Sequence, residues 1–373
     1  MRKIVFLLSI CVSLFLYANE NPPHECTSWM VFSDSTESGA NILHKNRDNS
    51  ARMIAIIKSE KESPRKWIGL GNVNTKSPAM GINSSGLAAA VNSGEKSIDN
   101  TKKQKGNSMG TTRILQHILE TCDTAKEAVI ALEKIIKANS YYHKSNGSIF
   151  LFLDTNEGYI CENTENFITY EKYDCNYAYR ANRWLFPEIA KFANSTPKKV
   201  IGSAVRELTV RQAFNSALRK QGKISIYDII ALARCNKSPH KLHPNALICN
   251  NYTLSTLTME IDKEFPDVLS TAYTMVGHPR HTVAIPLPIC IEDIPQTMVD
   301  GSWSKKSFDR LKKLGNHAQI PSEWLEFEKS VIEKYKNAKN QARNLLKENK
   351  KAEAIKLLNT TTAEIFKSAL EKF

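Results

Sequence analysis

Long apolar runs are nearly absent from this chain of 373 residues. The only one, Ile4 to Tyr17, falls short of the about 20 residues a spanning helix needs, so a polytopic membrane protein is excluded. No CxxC pair occurs among the eight cysteines, and neither an internal repeat nor a glycine-rich phosphate loop can be found. Glycine (15) and proline (14) are too sparse for a collagen-like or low-complexity chain. What is there has globular proportions: 42% hydrophobic and 24% charged residues, enough for a sizeable core in one large or two medium domains.

Negative charge is also short, with 38 Asp+Glu against 51 Lys+Arg and a formal net charge of +13. Such a surplus invites nucleic acid or an anionic membrane as partner. Its placement argues otherwise. Residues 301–373 alone hold 16 Lys+Arg against 9 Asp+Glu, on a pattern of amphipathic helices. The expectation is a basic helical C-terminal extension with a solvated face and no nucleic-acid partner. Membrane-surface contact by this tail is the sharper alternative, and oligomeric state, a homo-oligomer included, is left open.

Arg2 and Lys3, the apolar run and small Ala18 followed by polar Asn19-Glu20-Asn21 have the form of a secretory signal peptide. The expected organisation is a signal peptide at 1–18, a short propeptide at 19–25, a main domain at 26–300 and the extension at 301–373, in an exported protein. Removing the leader takes Cys11 with it and leaves seven cysteines. An odd count in an exported protein leaves at least one thiol unpaired or reactive. The run Cys235, His240, His243, Cys249 fits no common zinc spacing, so no metal and no cofactor are expected.

Cys26 to Ser33 is β-prone, Asp34 to Gly39 is turn-rich, Ala40 to Lys45 reads as a second strand and Met53 to Ile57 as a third. Antiparallel pairing of the first two brings Cys26 to Lys45, Arg47 and Asp48. Were the preceding segment removed, Cys26 would gain a free α-amine. Amine (about 7.7–8.0) and thiol (about 8.5) both titrate close to working pH, so one residue supplies nucleophile and general base. A nearby cation favours the thiolate and Asp48 orients the amine. The alternative is a structural or disulfide-bonded cysteine in an exported binding protein.

CTSWMVFS followed by HKNRD resembles the opening of N-terminal-nucleophile (Ntn) hydrolases of the linear-amide group. That group includes choloylglycine hydrolases, penicillin V acylases and acyl-CoA:6-aminopenicillanic acid acyltransferase relatives; a dipeptidase family shares the opening. The family's Arg-x-x-Asp falls on Lys45 and Asp48. Lysine keeps the charge without the planar fork, and Arg47 is the alternative cation. Met80 to Ala88 resembles the family's Gly-x-Asn-x-x-Gly-Leu hairpin, which puts an oxyanion donor at Asn92. The segment Tyr179 to Trp184 puts a second at Asn182, and Ser203 to Arg206 places the second active-site arginine at Arg206. The resemblance covers roughly Cys26 to Pro288. It implies an α+β, four-layer αββα sandwich and a cysteine amidohydrolase acting on a small linear amide, with acyl transfer or dipeptide hydrolysis as alternatives. His278 and His281 are expected to be structural or substrate-lining, since an Ntn nucleophile needs no histidine.

Periodicity further predicts helices at Thr111–Thr121, Ala125–Ala138 with Asp123 as N-cap, Arg183–Phe192, Ala204–Leu218 and Ile226–Ala233. Strands are predicted at Ser148–Leu153, Tyr159–Glu162 and Phe167–Lys172, and again from Asn251 to Ile261. Glu95–Gly106 reads as a polar loop. The tail reads as helices at Glu323–Tyr335, Ala338–Leu346 and Ala352–Phe373.

Overall fold

The computed structural model describes residues 25–100, 106 and 108–373. The expected signal peptide and all of the short segment 19–25 but its last residue lie outside the described residues. Thirteen strands form two antiparallel sheets among the described residues. The first is ordered β10-β1-β2-β11-β12-β13 and comprises Tyr177–Arg180, Thr27–Val31, Asn41–Asp48, Thr253–Ile261, Thr271–Val276 and Ile285–Pro288. The second is a meander, β3 to β9: Ile54–Lys58, Trp67–Asn72, Met80–Asn83, Ala88–Lys96, Asn146–Leu153, Gly158–Asn163 and Ile168–Tyr173.

Alternation along the strands assigns their faces. Met30 and Leu43 of the first sheet meet Ile56, Leu70, Ile82, Ala90 and Leu151 of the second in one shared core between the sheets. The intervening residues face outward. Trp29, Val31 and Ile42 pack under helices α4 (Pro197–Gln221) and α5 (Ile226–Ala233). Trp67, Ala89, Phe150 and Phe152 pack under α1 (Thr111–Thr121) and α2 (Ala125–Lys137). Helix, sheet, sheet, helix is the αββα sandwich that the resemblance implies. Three one-turn helices, α3 (Pro187–Ala190), α6 (Pro266–Leu269) and α7 (Gln296–Val299), punctuate the loops.

After these come α8 (Ser302–Leu314), α9 (Ser322–Lys347) and α10 (Lys351–Lys372). Trp303, Phe327, Tyr335 and Phe366 from these helices join the inter-sheet core, and α9 and α10 pack along the edge strand β13. Ile332 reaches the outer face as well, against Ile226, Ile230, Tyr273 and Met275.

Several local expectations are corrected. The second strand does not end at Lys45 but runs to Asp48, because Arg47 and Asn46 pair with Ser255 and Thr256 of β11. Strand β6 extends to Lys96, into the segment read as loop. The N-cap of α2 is Thr124, whose hydroxyl accepts from the Glu127 amide, while Asp123 is drawn off by Arg65 and Ser85. Arg183–Phe192 is mostly not helical: the amides of Leu185 and Phe186 donate to the Glu162 carboxylate, and only Pro187–Ala190 turns. Helix α4 begins seven residues earlier than read and α9 runs unbroken through Lys336 and Asn337. The region up to Val91 is strand-rich as expected, but neither strand β4 nor helix α8 had an expected range of its own.

Candidate active site

Register decides which side chains meet at the open end of β1 and β2. Thr27 pairs with Asn46 and Ser28 with Lys45. One step further, Cys26 stands opposite Arg47. Cys26, Ser28, Lys45 and Arg47 therefore share the face that looks between the sheets, and Thr27, Asn46 and Asp48 look out towards the α4 layer.

On the inner face the two cations reach across to the second sheet. The Lys45 ammonium, fully buried, donates to Val91 O at 2.8 Å and to Asn92 Oδ1 at 2.6 Å. The Cys26 side chain lies beside it. Burial pushes the ammonium below the ordinary lysine range, opposed by the charge of Cys26. Arg47 donates from Nη2 to Asn72 Oδ1 of β4 at 2.9 Å, and its buried Nη1 has no partner. Burial lowers its pKa too, with the Cys26 charge acting against that.

On the outer face Asp48 is buried and takes a hydrogen bond from Asn250 Nδ2 at 2.5 Å, while its Oδ1 is unpartnered. Burial raises the Asp48 carboxyl to about 7, with the Arg206 charge pulling the other way. Arg206, fully buried on α4, grips the chain on both sides of the Glu25–Cys26 bond. Its Nη1 donates to Glu25 O at 2.9 Å, to Cys26 O at 2.6 Å and to Thr27 Oγ1 at 3.0 Å. Its Nη2 donates to Asn182 Oδ1 at 3.1 Å.

All seven residues singled out in the sequence therefore gather around one end of the sandwich, but the two asparagines differ in what they have left to give. Asn92 spends both amide hydrogens on Arg180 O and Ala181 O, at 3.2 and 3.1 Å, and accepts from Lys45 and from Ser28 Oγ. Asn182 donates one amide hydrogen to Ser93 O at 2.6 Å and keeps the other. His278 sits to the side. Its Nε2 donates to Asn250 O, its Nδ1 accepts from the Arg280 amide, and burial lowers it to about 3, so it is held neutral.

Sequence reasoning missed Ser28, Asn72 and Asn250 as partners of these groups, and Lys199, whose ammonium donates to Gly94 O and is lowered to about 8 by burial. Ser28 lay within the quoted motif; the others have no local signature. The seven described cysteines are all unpaired, and no three His, Cys, Asp or Glu side chains converge among the described residues.

Residues 35–199 match the family described as acyl-coenzyme A:6-aminopenicillanic acid acyl-transferase. The chain is similar to that family over this stretch. The matched span is a little under half the chain; it takes in Lys45, Arg47, Asp48, Asn92 and Asn182, and stops short of Cys26 and Arg206. The acyl-transferase family is one of the linear-amide Ntn relatives that the opening motif resembles. Among solved structures, the chain is similar to a variant of conjugated bile acid hydrolase from Clostridium perfringens (12% identity, TM-score 0.48), over 74% of this chain and 94% of that one. It is also similar to penicillin V acylase from Agrobacterium tumefaciens (13% identity, TM-score 0.46), over 70% and 86%. A third is the Caenorhabditis elegans ortholog of N-acylethanolamine-hydrolyzing acid amidase (14% identity, TM-score 0.42), over 65% and 93%. No curated protein matches the chain.

Proposed function

We propose that this chain is an exported, self-processed amidohydrolase that cleaves a linear acyl amide through an acyl-enzyme on Cys26, or passes the acyl group to an amine. The observation that carries this reading is the division of labour across β1 and β2. The Cys26 thiol lies on the face with Lys45, and Asp48, on the other face of the neighbouring strand, has an Oδ1 with no hydrogen-bond partner in the chain that still bears Glu25. A new ammonium at Cys26 fills that deficit.

Once Glu25 is removed, the amine takes the thiol proton, and Lys45 holds the thiolate beside it. The sulfur attacks the amide carbonyl, and charge gathers on the carbonyl oxygen. The spare Asn182 amide hydrogen suits that oxygen; one such donor is typically worth about 3–4 kcal/mol. Asn92, with no hydrogen left, serves as the anchor that fixes Lys45. The amine then gives its proton to the leaving nitrogen, and water or an acceptor amine releases the acyl group from sulfur. Arg206 holds the Cys26 carbonyl in place throughout. The basic start of the chain, its apolar run and Ala18 support export.

Mass spectrometry of the protein recovered from an exporting host tests this directly. A chain beginning at Cys26 that acquires the mass of an acyl group from an activated amide is expected, and a Cys26→Ala variant that keeps residue 25 and acquires none. A wild-type chain that retains residue 25 and takes up no acyl group sinks the reading.

A further inference from the structure

We infer that Arg47 is a specificity-determining residue that binds an acidic group on the acyl side of the substrate, so that the preferred substrates are half-amides of short dicarboxylic acids. This rests on the proposed acyl-enzyme at Cys26 and names its acyl group.

Three observations lead there. The first is an unmet charge. Arg47 is 7% exposed, no carboxylate pairs with it among the described residues, and Nη1 has no hydrogen-bond partner. Burying a guanidinium with a donor unpaired and no carboxylate beside it is costly, and an arriving anion recovers that cost. The second is redundancy. An ammonium has three donors; Lys45 gives two to Val91 O and Asn92 Oδ1 and stands beside the Cys26 side chain, whose charge favours the ammonium. The thiol therefore already has a cation beside it, and Arg47, although it also feels the Cys26 charge, keeps Nη1 free for another anion.

The third observation is direction. In the proposed mechanism the leaving nitrogen must lie within reach of the Cys26 amine, on the side marked by Asp48 and Arg206. The acyl remainder must then extend the other way past the sulfur, onto the inner face. Arg47 stands there, directly across from Cys26, with its fork held by Asn72 from the opposite sheet. A bidentate guanidinium suits a carboxylate, and an uncharged alkyl chain would leave it unpaired. Arg47 anchors the carboxylate; it takes no part in bond making.

The discriminating experiment compares glutaryl and valeryl p-nitroanilides, which have the same chain length and differ in the terminal acid. With the mature enzyme kcat/KM is expected to favour the glutaryl compound by roughly ten- to a hundredfold, the range of a charge-assisted hydrogen bond, mostly through KM. In Arg47→Met the ratio of the two kcat/KM values should collapse towards unity or reverse, whatever the variant does to overall rate. Arg47→Lys should keep part of the ratio. A wild-type preference for the valeryl compound, or a ratio that Arg47→Met leaves unchanged, overturns the assignment. Melting curves of both variants check folding, and glutarate as a competitive inhibitor of wild type gives the same answer without a variant. Acyl transfer to Cys26 from the valeryl compound alone would uphold the nucleophile while refuting this role. No acyl-cysteine from any amide would fail the mechanism itself.

Discussion

At the scale of single residues the site is a set of buried charges whose partners are neutral or missing, and this makes it sensitive to pH. Asp48 has a folded-state pKa of about 7 against an ordinary 3.8. Between those values the folded chain holds a proton that the unfolded chain has released, so stability falls as pH rises through this window and levels off above it. The unprocessed Cys26→Ala chain should therefore unfold at lower urea at about pH 8 than at about pH 5, and adding Asp48→Asn should flatten that slope. An unchanged slope would assign the titration to another group. Asn92 makes a separate case. Asn92→Ala leaves the Lys45 ammonium and the Ser28 hydroxyl without their buried acceptor, at a cost of about 1–3 kcal/mol. Urea denaturation should register this loss of stability, and acylation of Cys26 should slow as Lys45 loses its anchor.

At the scale of elements, legibility in the sequence depended on how local the determining interaction was. Helices α1 and α5 follow from periodicity alone, because each buries one stripe on one sheet. The opening hairpin was readable for the same reason, and with it the meeting of Cys26, Lys45 and Asp48. Strand β4 was hidden: Trp67-Ile68-Gly69-Leu70-Gly71-Asn72 carries two glycines, which depress β-propensity. Those glycines are there for the neighbours. A Cβ on Gly69 would lie 2.4 Å from Met80 O and 2.9 Å from Pro78 Cβ. Gly69→Ala should cost about 1–3 kcal/mol, read as a lower urea midpoint. Because β4 also carries Asn72, the variant should weaken Arg47-dependent selectivity as well. The Arg183–Phe192 misreading has the opposite origin. Its helical pattern is real, but the Glu162 carboxylate, distant in sequence, claims the backbone amides.

At the scale of the whole molecule, the C-terminal helices are part of the same cooperative unit as the site. Arg234, which ends α5, makes a bidentate pair with Glu328 of α9 at 2.7 and 2.6 Å, both side chains nearly inaccessible. Glu328 also accepts from the Ala284 amide, and Arg234 also donates to Pro279 O and Thr282 O. This knot joins the outer helix layer, the loop that carries His278 and the tail. The net charge of +13 hides that the tail is attached through buried ion pairs and apolar packing. Removing one member of such a pair leaves the other charge uncompensated, typically at about 3–5 kcal/mol, whereas replacing both by apolar residues is often neutral. Glu328→Ala should thus lower the urea midpoint strongly in a single transition, and the double variant Glu328→Leu with Arg234→Met should recover most of it. If the tail were an independent appendage, Glu328→Ala would instead release it in a separate early transition and leave the sandwich intact. One shared transition, with Cys26 acylation lost at the same urea concentration, is the outcome that the continuous core from Met30 to Phe366 requires.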